Sequence, residues 1–177
     1  TLDTTVSLDT LDGKPDSFVI TGDIDALWLR DSSAQVWPYL QLARGDAALT
    51  RLYRGLIHRH ARCILIDPYA NAFLRDPTGK TPLSWAVHDQ TGMKPGVAER
   101  KWEIDSLCHV LRLAHGYWQA SGETQPFDAG WREAMRRVVA PCRQQQRKHP
   151  PGPYRFQRTS DTPGEAQARG GLGNPGR

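Results

Sequence analysis

Cysteine is scarce in this sequence, with 3 residues among 177, and the three positions are far apart. Cys63, Cys108 and Cys142 form no C-x-x-C pair, which excludes a zinc knuckle and a dithiol redox motif. So few cysteines also exclude a disulfide-stapled miniprotein. Cys63 and Cys108 lie inside apolar helical patterns, so we expect both thiols to be buried as small hydrophobic side chains.

Long apolar runs are missing too. No run approaches the ~20 residues needed to cross a bilayer, so neither a spanning helix nor a membrane partner is expected. The chain starts at Thr1 without a charged and then apolar leader. Any targeting peptide is therefore expected to be cleaved, outside the sequence or absent, which leaves the compartment open.

The sequence also lacks the motifs of several enzyme classes. It has no glycine-rich phosphate loop, no G-x-S-x-G motif and no Cys–His pairing. His58 and His60 are two residues apart on a predicted helix, so they point away from each other and cannot chelate a metal. For His88-Asp89, ordinary loop polarity is favoured over a metal site. We expect no metal and no other cofactor.

The net charge of +4 is confined to one end of the chain. Residues 143–177 carry 7 basic and 2 acidic side chains, which leaves the rest of the chain close to neutral. Because the excess lies in a Pro/Gly-rich stretch and not on a folded face, a solvated tail is favoured over a nucleic-acid surface. No nucleic-acid partner is expected.

What the sequence does contain is material for a core: 38% hydrophobic residues, with 6 Trp, 5 Tyr and 4 Phe. The length fits one ordinary domain or a piece of a larger one, and the composition excludes wholesale disorder. The first twenty residues look extended, with a hairpin turn at Asp12-Gly13. Helical periodicity dominates from there on.

The predicted fold class is therefore all-α, built from helical hairpins, with a short β-hairpin near the N-terminus. The predicted helices run from Ser32 to Gly45, from a cap at Asp46 to just before Asp67-Pro68, from near Glu99 to Gly122, and from Phe127 to near Pro141. The second helix keeps Arg51, Arg54 and Arg59 outside its apolar stripe, whereas the stripe of the third contains Ile104, Leu107, Cys108, Leu111, Ala114 and Trp118. A long loop from Pro68 to Gly96 separates the hairpins, and residues 147–177 form a Pro/Gly-rich loop or tail.

Two polar clusters lie at predicted helix starts. The first, Thr21–Ser32, combines three carboxylates with Trp28 and Arg30. Such a mixture suits a pyranose, whose apolar face packs on a ring and whose paired hydroxyls bind carboxylate and guanidinium groups. The alternative, equally weighted, is that Asp31 or Ser32 caps a helix and Arg30 pairs with Asp25.

The second cluster, Glu99–Ser106, contains five charges and Trp102. If the helix extends back to Glu99, then Glu99, Trp102 and Glu103 share one face. Acidic residues also favour any helix N-terminus, so the individual charges have an ordinary explanation that leaves their grouping unexplained.

At these clusters the chain resembles the metal-independent exo-α-1,6-mannosidases of glycoside hydrolase family 125. The matching blocks, in order, are Leu2-Asp3-Thr4-Thr5-Val6, Thr21–Ser32, Gln35-Val36, Pro38-Tyr39-Leu40, Ile66–Phe73, Lys94-Pro95-Gly96-Val97, Glu99–Cys108 and Tyr154-Arg155-Phe156. Gly171-Leu172-Gly173-Asn174-Pro175 also resembles a family loop. The sequence departs from the family pattern at Ala98 and Leu74.

The resemblance implies an (α/α)6 barrel and metal-independent, inverting hydrolysis of terminal α-1,6-linked mannose in an oligosaccharide or glycan. A bacterial-type member without a signal peptide would be cytoplasmic. Arg30 and Asp31 would bind mannose hydroxyls, with Trp28 shaping the pocket. The residues that it assigns to substrate binding are Trp28, Arg30, Asp31, Arg100, Glu103 and Asp105.

Family members are more than twice this length, so the chain is expected to be the N-terminal part of one catalytic domain. The resemblance places the general acid and base C-terminal to the Gly-Asn-Pro loop, beyond Arg177. Asp31 and Asp105 are favoured as substrate ligands over an acid–base pair. We expect the 177 residues alone to be inactive and, with inner-helix surface uncovered, to self-associate. The alternative is a non-catalytic carbohydrate-binding domain or a decayed remnant of the fold.

Overall fold

The computed structural model describes residues 2–146 and 154–158, and within them helices predominate, as the sequence predicts. The helices are α1 (Leu2–Thr5), α2 (Leu29–Val36), α3 (Ala47–Ile66), α4 (Ile104–Ser121) and α5 (Ala129–Gln144), with a 3-10 helix at Trp37–Gly45 between α2 and α3. The strands are β1 (Val6–Leu11), β2 (Lys14–Val19), β3 (Leu27–Trp28), β4 (Ala72–Phe73) and β5 (Val97–Glu99). Most of the predicted tail, including Gly171–Pro175, lies outside the described residues.

The predicted β-hairpin is confirmed. β1 and β2 pair antiparallel around Asp12 and Gly13, which adopt φ values of 54° and 72°. Both central residues of a type I′ turn need positive φ, a conformation that Asp and Gly tolerate. The residues before β1 differ from the prediction, because Leu2–Thr5 form a helical turn and not an extended segment.

Strand β2 packs against α3 through a glycine. A Cβ on Gly55 would lie 2.2 Å from Ser17 Oγ and 2.7 Å from Ser17 N, so only glycine lets the helix approach the strand this closely. The same contact buries Arg59 of α3 against Asp16 of β2. The prediction that Arg59 lies outside the buried face is therefore wrong, because the hairpin covers that side of the helix.

The Gly55 contact gives a stability prediction. Gly55→Ala should lower the free energy of unfolding by about 1–3 kcal/mol, because the new methyl group meets backbone atoms that cannot rotate away. Chemical denaturation measures the change. Gly45→Ala is the matched control, since no atom lies within 4 Å of its Cβ position; an equal loss in both variants would contradict the steric explanation.

Several helix boundaries agree with the sequence and others do not. Asp46 caps α3 by accepting from the backbone N–H groups of Ala48 and Leu49, and Gly122 ends α4 in the left-handed conformation, as predicted. The first predicted helix starts three residues early and continues as the 3-10 helix, in which Pro38 occupies the first turn. Helix α5 continues past Pro141 to Gln144.

Helix α4 differs most from its prediction. It begins at Ile104 and not near Glu99, because Glu99 belongs to β5. The predicted apolar stripe is right at Leu107 and Ala114 and wrong at its other four residues, because the face that α4 packs on α2 and the 3-10 helix only partly overlaps the stripe. The buried residues of α4 include Leu107, Val110, Leu113, Ala114 and Tyr117, and the exposed ones include Ile104, Cys108, Leu111, His115 and Trp118.

The two cysteines that were predicted to be buried differ in the structure. Cys63 is 2% exposed, and burial raises the pKa of its thiol to about 12. Cys108 is exposed, contrary to the prediction, because it lies on the outer face of α4.

Within the described residues, no helix is long and apolar enough to cross a membrane.

The exposed face of α4 borders an open apolar cavity of about 390 Å³ between α4 and α5. Trp118 and Leu111 contribute to it and are 44% and 41% exposed.

An apolar surface of this kind promotes association, so we expect the 177-residue chain to self-associate. Leu111→Lys should shift sedimentation velocity profiles toward monomer, whereas Leu42→Lys, at a residue 61% exposed on the 3-10 helix, should not. A monomeric wild-type chain would contradict this prediction.

Candidate functional site

A three-stranded sheet brings the two polar clusters together. Strands β3 and β5 both pair antiparallel with β4 and therefore run in the same direction. Helix α2 follows β3 directly, and α4 follows β5 after four residues. The two helices consequently begin at the same edge of the sheet, and their first turns are neighbours.

Arg30 lies at the centre of this edge. Its Nη1 is 2.9 Å from Asp105 Oδ2 and 3.7 Å from Glu103 Oε2, and its Nε is 3.6 Å from Asp31 Oδ2. We call these four residues the Arg30 cluster. Its guanidinium is partly open to solvent, with 43% of the Arg30 side chain exposed. One cation thus faces three carboxylates from two helix N-termini, at a place that a small polar ligand can reach.

Helix capping does not explain the first cluster. The N-cap of α2 is Trp28, with no side-chain cap hydrogen bond, and Ser32 Oγ donates to Leu29 O and lies 2.8 Å from His60 Nε2. Arg30 pairs with the three carboxylates of its cluster and not with Asp25. The alternative of a cap at Asp31 or Ser32 and an ion pair between Arg30 and Asp25 is therefore wrong.

The N-terminus of α4 is similar. Its N-cap, Glu103, makes no side-chain cap hydrogen bond, and one oxygen of Asp105 accepts from the neighbouring Ser106 N at 2.9 Å. Lys101 lies 3.4 Å from Glu103 and adds a second cation beside the cluster. The position of Asp105 in the first turn remains favourable for the helix dipole.

Charge pairing sets the protonation states in the cluster. The hydrogen bond from Arg30 to Asp105 raises the pKa of Arg30 against the opposing effect of burial. Burial raises the pKa of Asp105, but the hydrogen bond and charge of Arg30 outweigh it, so this pKa lies below its usual value. Asp105 is therefore ionised near neutral pH, which suits an acceptor of hydroxyl hydrogen bonds.

The other two predicted residues take different places. Trp28 is half-buried at the end of β3, two residues before Arg30. The guanidinium of Arg100 is engaged elsewhere, with Asp67 Oδ2 at 2.7 Å and the Thr91 carbonyl. Glu99, Trp102 and Glu103 do not share a helical face, because the chain is extended from β5 to Glu103.

Arg100 packs on an aromatic platform made of two tyrosine rings. The rings of Tyr69 and Tyr154 stack with centroids 4.9 Å apart, and Arg100 lies over both rings at 5.3 and 5.2 Å. The Tyr154 hydroxyl accepts from Trp102 N at 2.8 Å. This platform supports the extended segment that leads to Glu103.

Asn71 is a residue of this region that no motif or charge pattern in the sequence predicted. Asn71 is 2% exposed. It hydrogen-bonds to Leu29, which follows β3, and to Glu99 and Lys101 at the end of β5. The sequence feature that could have indicated it is a single amide side chain within the otherwise apolar run Ala70-Asn71-Ala72-Phe73.

The histidines behave as their spacing predicts. His58 Nδ1 is 3.0 Å from Pro15 O, whereas His60 faces Ser32, so the two rings diverge. Burial lowers the pKa of His60 to about 3. Across residues 2–146 and 154–158, no three His, Cys, Asp or Glu side chains are grouped as a metal site requires.

Comparison with known proteins decides the family. Residues 1–177 match the family model described as metal-independent α-mannosidase, GH125. The chain belongs to glycoside hydrolase family 125. The resemblance recognised from the sequence blocks is thereby confirmed.

Two similar proteins show how much of its relatives' length this chain covers. The meiotically up-regulated gene 157 protein of Schizosaccharomyces pombe is 35% identical over 190 residues, which cover 99% of this chain and 37% of that protein. A Streptococcus pneumoniae metal-independent α-mannosidase, solved as a non-productive substrate complex with α-1,6-mannobiose, is 41% identical with a TM-score of 0.80. That match covers 92% of this chain and 36% of the other. The chain thus spans little more than a third of each relative.

Proposed function

We propose that these residues are the N-terminal part of an exo-α-1,6-mannosidase, in which the Arg30 cluster binds the terminal mannose. The hydrolysis proposed for the whole enzyme inverts the anomeric configuration and uses no metal. The helices of this chain would supply part of an (α/α)6 barrel, with the remaining helices supplied by further sequence.

The observation that carries the proposal is one accessible guanidinium surrounded by three carboxylates. The 2.9 Å contact between Arg30 and Asp105 leaves further acceptor and donor positions on both groups. Vicinal sugar hydroxyls both donate and accept, so they can bind a carboxylate and a guanidinium side by side. Trp28, two residues before Arg30, offers a ring for the apolar face of the sugar.

The same charges argue against Asp105 as the general acid. An inverting enzyme needs one carboxylic acid, with a raised pKa, to protonate the leaving oxygen and one carboxylate to activate water. Arg30 has the opposite effect on Asp105, since it lowers the pKa of that carboxyl. Asp105 is therefore unsuited to the role of the acid. We propose Asp31, Glu103 and Asp105 as substrate ligands, because all three surround the Arg30 guanidinium, and expect the acid and base from another part of the enzyme.

Arg100 receives a supporting role in this proposal. Its side chain is 13% exposed and neutralises Asp67, which is 1% exposed. It would hold the extended segment before Glu103 in place, without direct contact with the sugar.

An assay with α-1,6-mannobiose tests this division of roles. The 177-residue chain should bind the disaccharide in a calorimetric titration and should release no mannose on prolonged incubation. Binding without turnover is also what a carbohydrate-binding domain would show, so fusion or co-expression with the remaining helices of a family 125 enzyme should then restore hydrolysis. Mannose release by the chain alone, surviving a chelator and lost in Asp105→Asn, would contradict the assignment.

A further inference from the structure

One buried amide is bonded to both segments that carry the Arg30 cluster. The backbone oxygen of Asn71 accepts from Leu29 N, at the start of α2, at 3.0 Å, and its backbone N donates to Glu99 O at 3.1 Å. Its side-chain Oδ1 accepts from Lys101 N at 3.1 Å, and its Nδ2 donates to Glu99 Oε2 at 2.6 Å. All four polar groups of Asn71 are used, and together they tie α2 to the segment that leads into α4.

Charges from two other segments hold the Glu99 carboxylate. Arg158 Nη2 donates to Glu99 Oε1 at 2.6 Å, and the same guanidinium binds both oxygens of Asp89 at 2.9 and 2.7 Å. Burial raises the pKa of Glu99. The hydrogen bonds from Arg158 and Asn71 and the charges of Arg158 and Lys101 lower it by more, so the net shift of this pKa is downward. Glu99 is therefore an ionised acceptor facing the Asn71 amide.

We propose that Asn71 is a positioning residue for the mannoside site. Its backbone oxygen holds the start of α2, and its side-chain amide holds the segment before α4 by donating to Glu99 and accepting from Lys101, so that together they set the spacing of the two helix N-termini. This inference rests on the proposed function of the Arg30 cluster. Asn71 itself does not contact the sugar; it acts through the segments that carry Arg30 and Glu103.

The chemistry of the position explains why an amide is needed. Only a side chain with a donor and an acceptor on the same short branch can serve a backbone N–H and a carboxylate together. A carboxylate at position 71 would face Glu99 Oε2 at the present 2.6 Å. Two carboxylates that close cannot both be ionised, so one must take up a proton to restore the hydrogen bond.

The test is an exchange of the two groups. In Asn71→Asp, the site should form at about pH 5, where one carboxyl is protonated and donates, and should be disrupted at about pH 8, where both are charged. In the double variant Asn71→Asp/Glu99→Gln, the new amide donates to the new carboxylate and its oxygen still accepts from Arg158. The double variant should therefore work at both pH values.

Titration with α-1,6-mannobiose gives the first readout. Asn71→Asp should bind at least about tenfold more weakly than wild type at the higher pH and should recover at the lower pH. The double variant should stay within about threefold of wild type throughout. Gln119→Glu, which adds the same charge on the exposed side of α4, is the control and should change neither value. Wild-type affinity in the single variant at the higher pH, or no rescue in the double variant, would overturn the proposal.

Hydrogen exchange gives a readout that does not depend on sugar binding. The amides of Leu29 and Lys101 donate to Asn71, so both should lose protection in the single variant at the higher pH and regain it in the double variant, after correction for intrinsic rates. If the wild-type chain does not bind mannobiose, the proposed function is wrong. Hydrogen exchange still tests the positioning role in that case, and unchanged protection of these two amides in the single variant would overturn it. If the single variant does not fold at the higher pH, rescue of folding in the double variant supports the proposal and its absence overturns it.

Discussion

Asp16→Asn should lower the free energy of unfolding by about 3 kcal/mol, the largest stability effect we expect from a single charge. Asp16 is 3% exposed and is the anionic partner of two arginines of α3, Arg59 and Arg62. Removing its charge leaves Arg59, with 11% of its side chain exposed, without a carboxylate in a site largely shielded from water. Urea denaturation followed by circular dichroism measures the loss.

Asp12→Asn is the control for this experiment. Asp12 is also paired with Arg62, at 3.3 Å, but 82% of its side chain is exposed. Asparagine tolerates the positive φ of this turn, so the backbone is unaffected. The change should stay below about 1 kcal/mol, because exposed ion pairs contribute little. Equal losses at the two positions would show that burial is not what makes the Asp16 pair important.

Arg30→Ala should weaken the binding of α-1,6-mannobiose by about a hundredfold. The variant would lose the proposed guanidinium hydrogen bonds to the sugar, each worth about 1.5 kcal/mol or more when one partner is charged. It also leaves Asp31, Glu103 and Asp105 together without their shared cation. Isothermal titration calorimetry measures the change in affinity.

Arg136→Ala is the control for Arg30. Arg136 is 72% exposed on α5 and is paired only locally, with Glu133. It should leave affinity unchanged. A loss of less than threefold in Arg30→Ala, with its fold intact, would remove Arg30 from the sugar site.

Local signals in the sequence predicted local structure well. The turn at Asp12-Gly13, the cap at Asp46 and the stop at Gly122 are each decided by the conformational preference of one or two residues. The structure has all three where the sequence placed them. The buried thiol of Cys63 follows from a helix that is covered on most sides.

Distant contacts account for the errors. Arg59 is buried because a hairpin more than forty residues earlier supplies Asp16. Glu99 is a strand residue because it pairs with β4 across the long loop. The outward position of Cys108 follows from which face of α4 meets α2. None of these partners lies within the window in which hydrophobic periodicity is evaluated.

The candidate site combines both kinds of information. Its residues were recognisable because two short segments concentrate charge and Trp at helix starts. Their meeting was not predictable from spacing, because a sheet of two- and three-residue strands aligns the helices. Asn71, the residue that ties this edge together, has no charge and no repeat to mark it.

A titration of isotope-labelled chain with α-1,6-mannobiose, followed by nuclear magnetic resonance, tests the central claim most directly. The account predicts saturable shifts at the side-chain N–H groups of Arg30 and Trp28 and at the backbone amides of residues 29–31 and 103–106. It predicts no shift along the exposed face of α4 at Leu111 and Trp118. Saturable binding that shifts the α4 face and leaves Arg30 unchanged would contradict the assignment of the mannoside site.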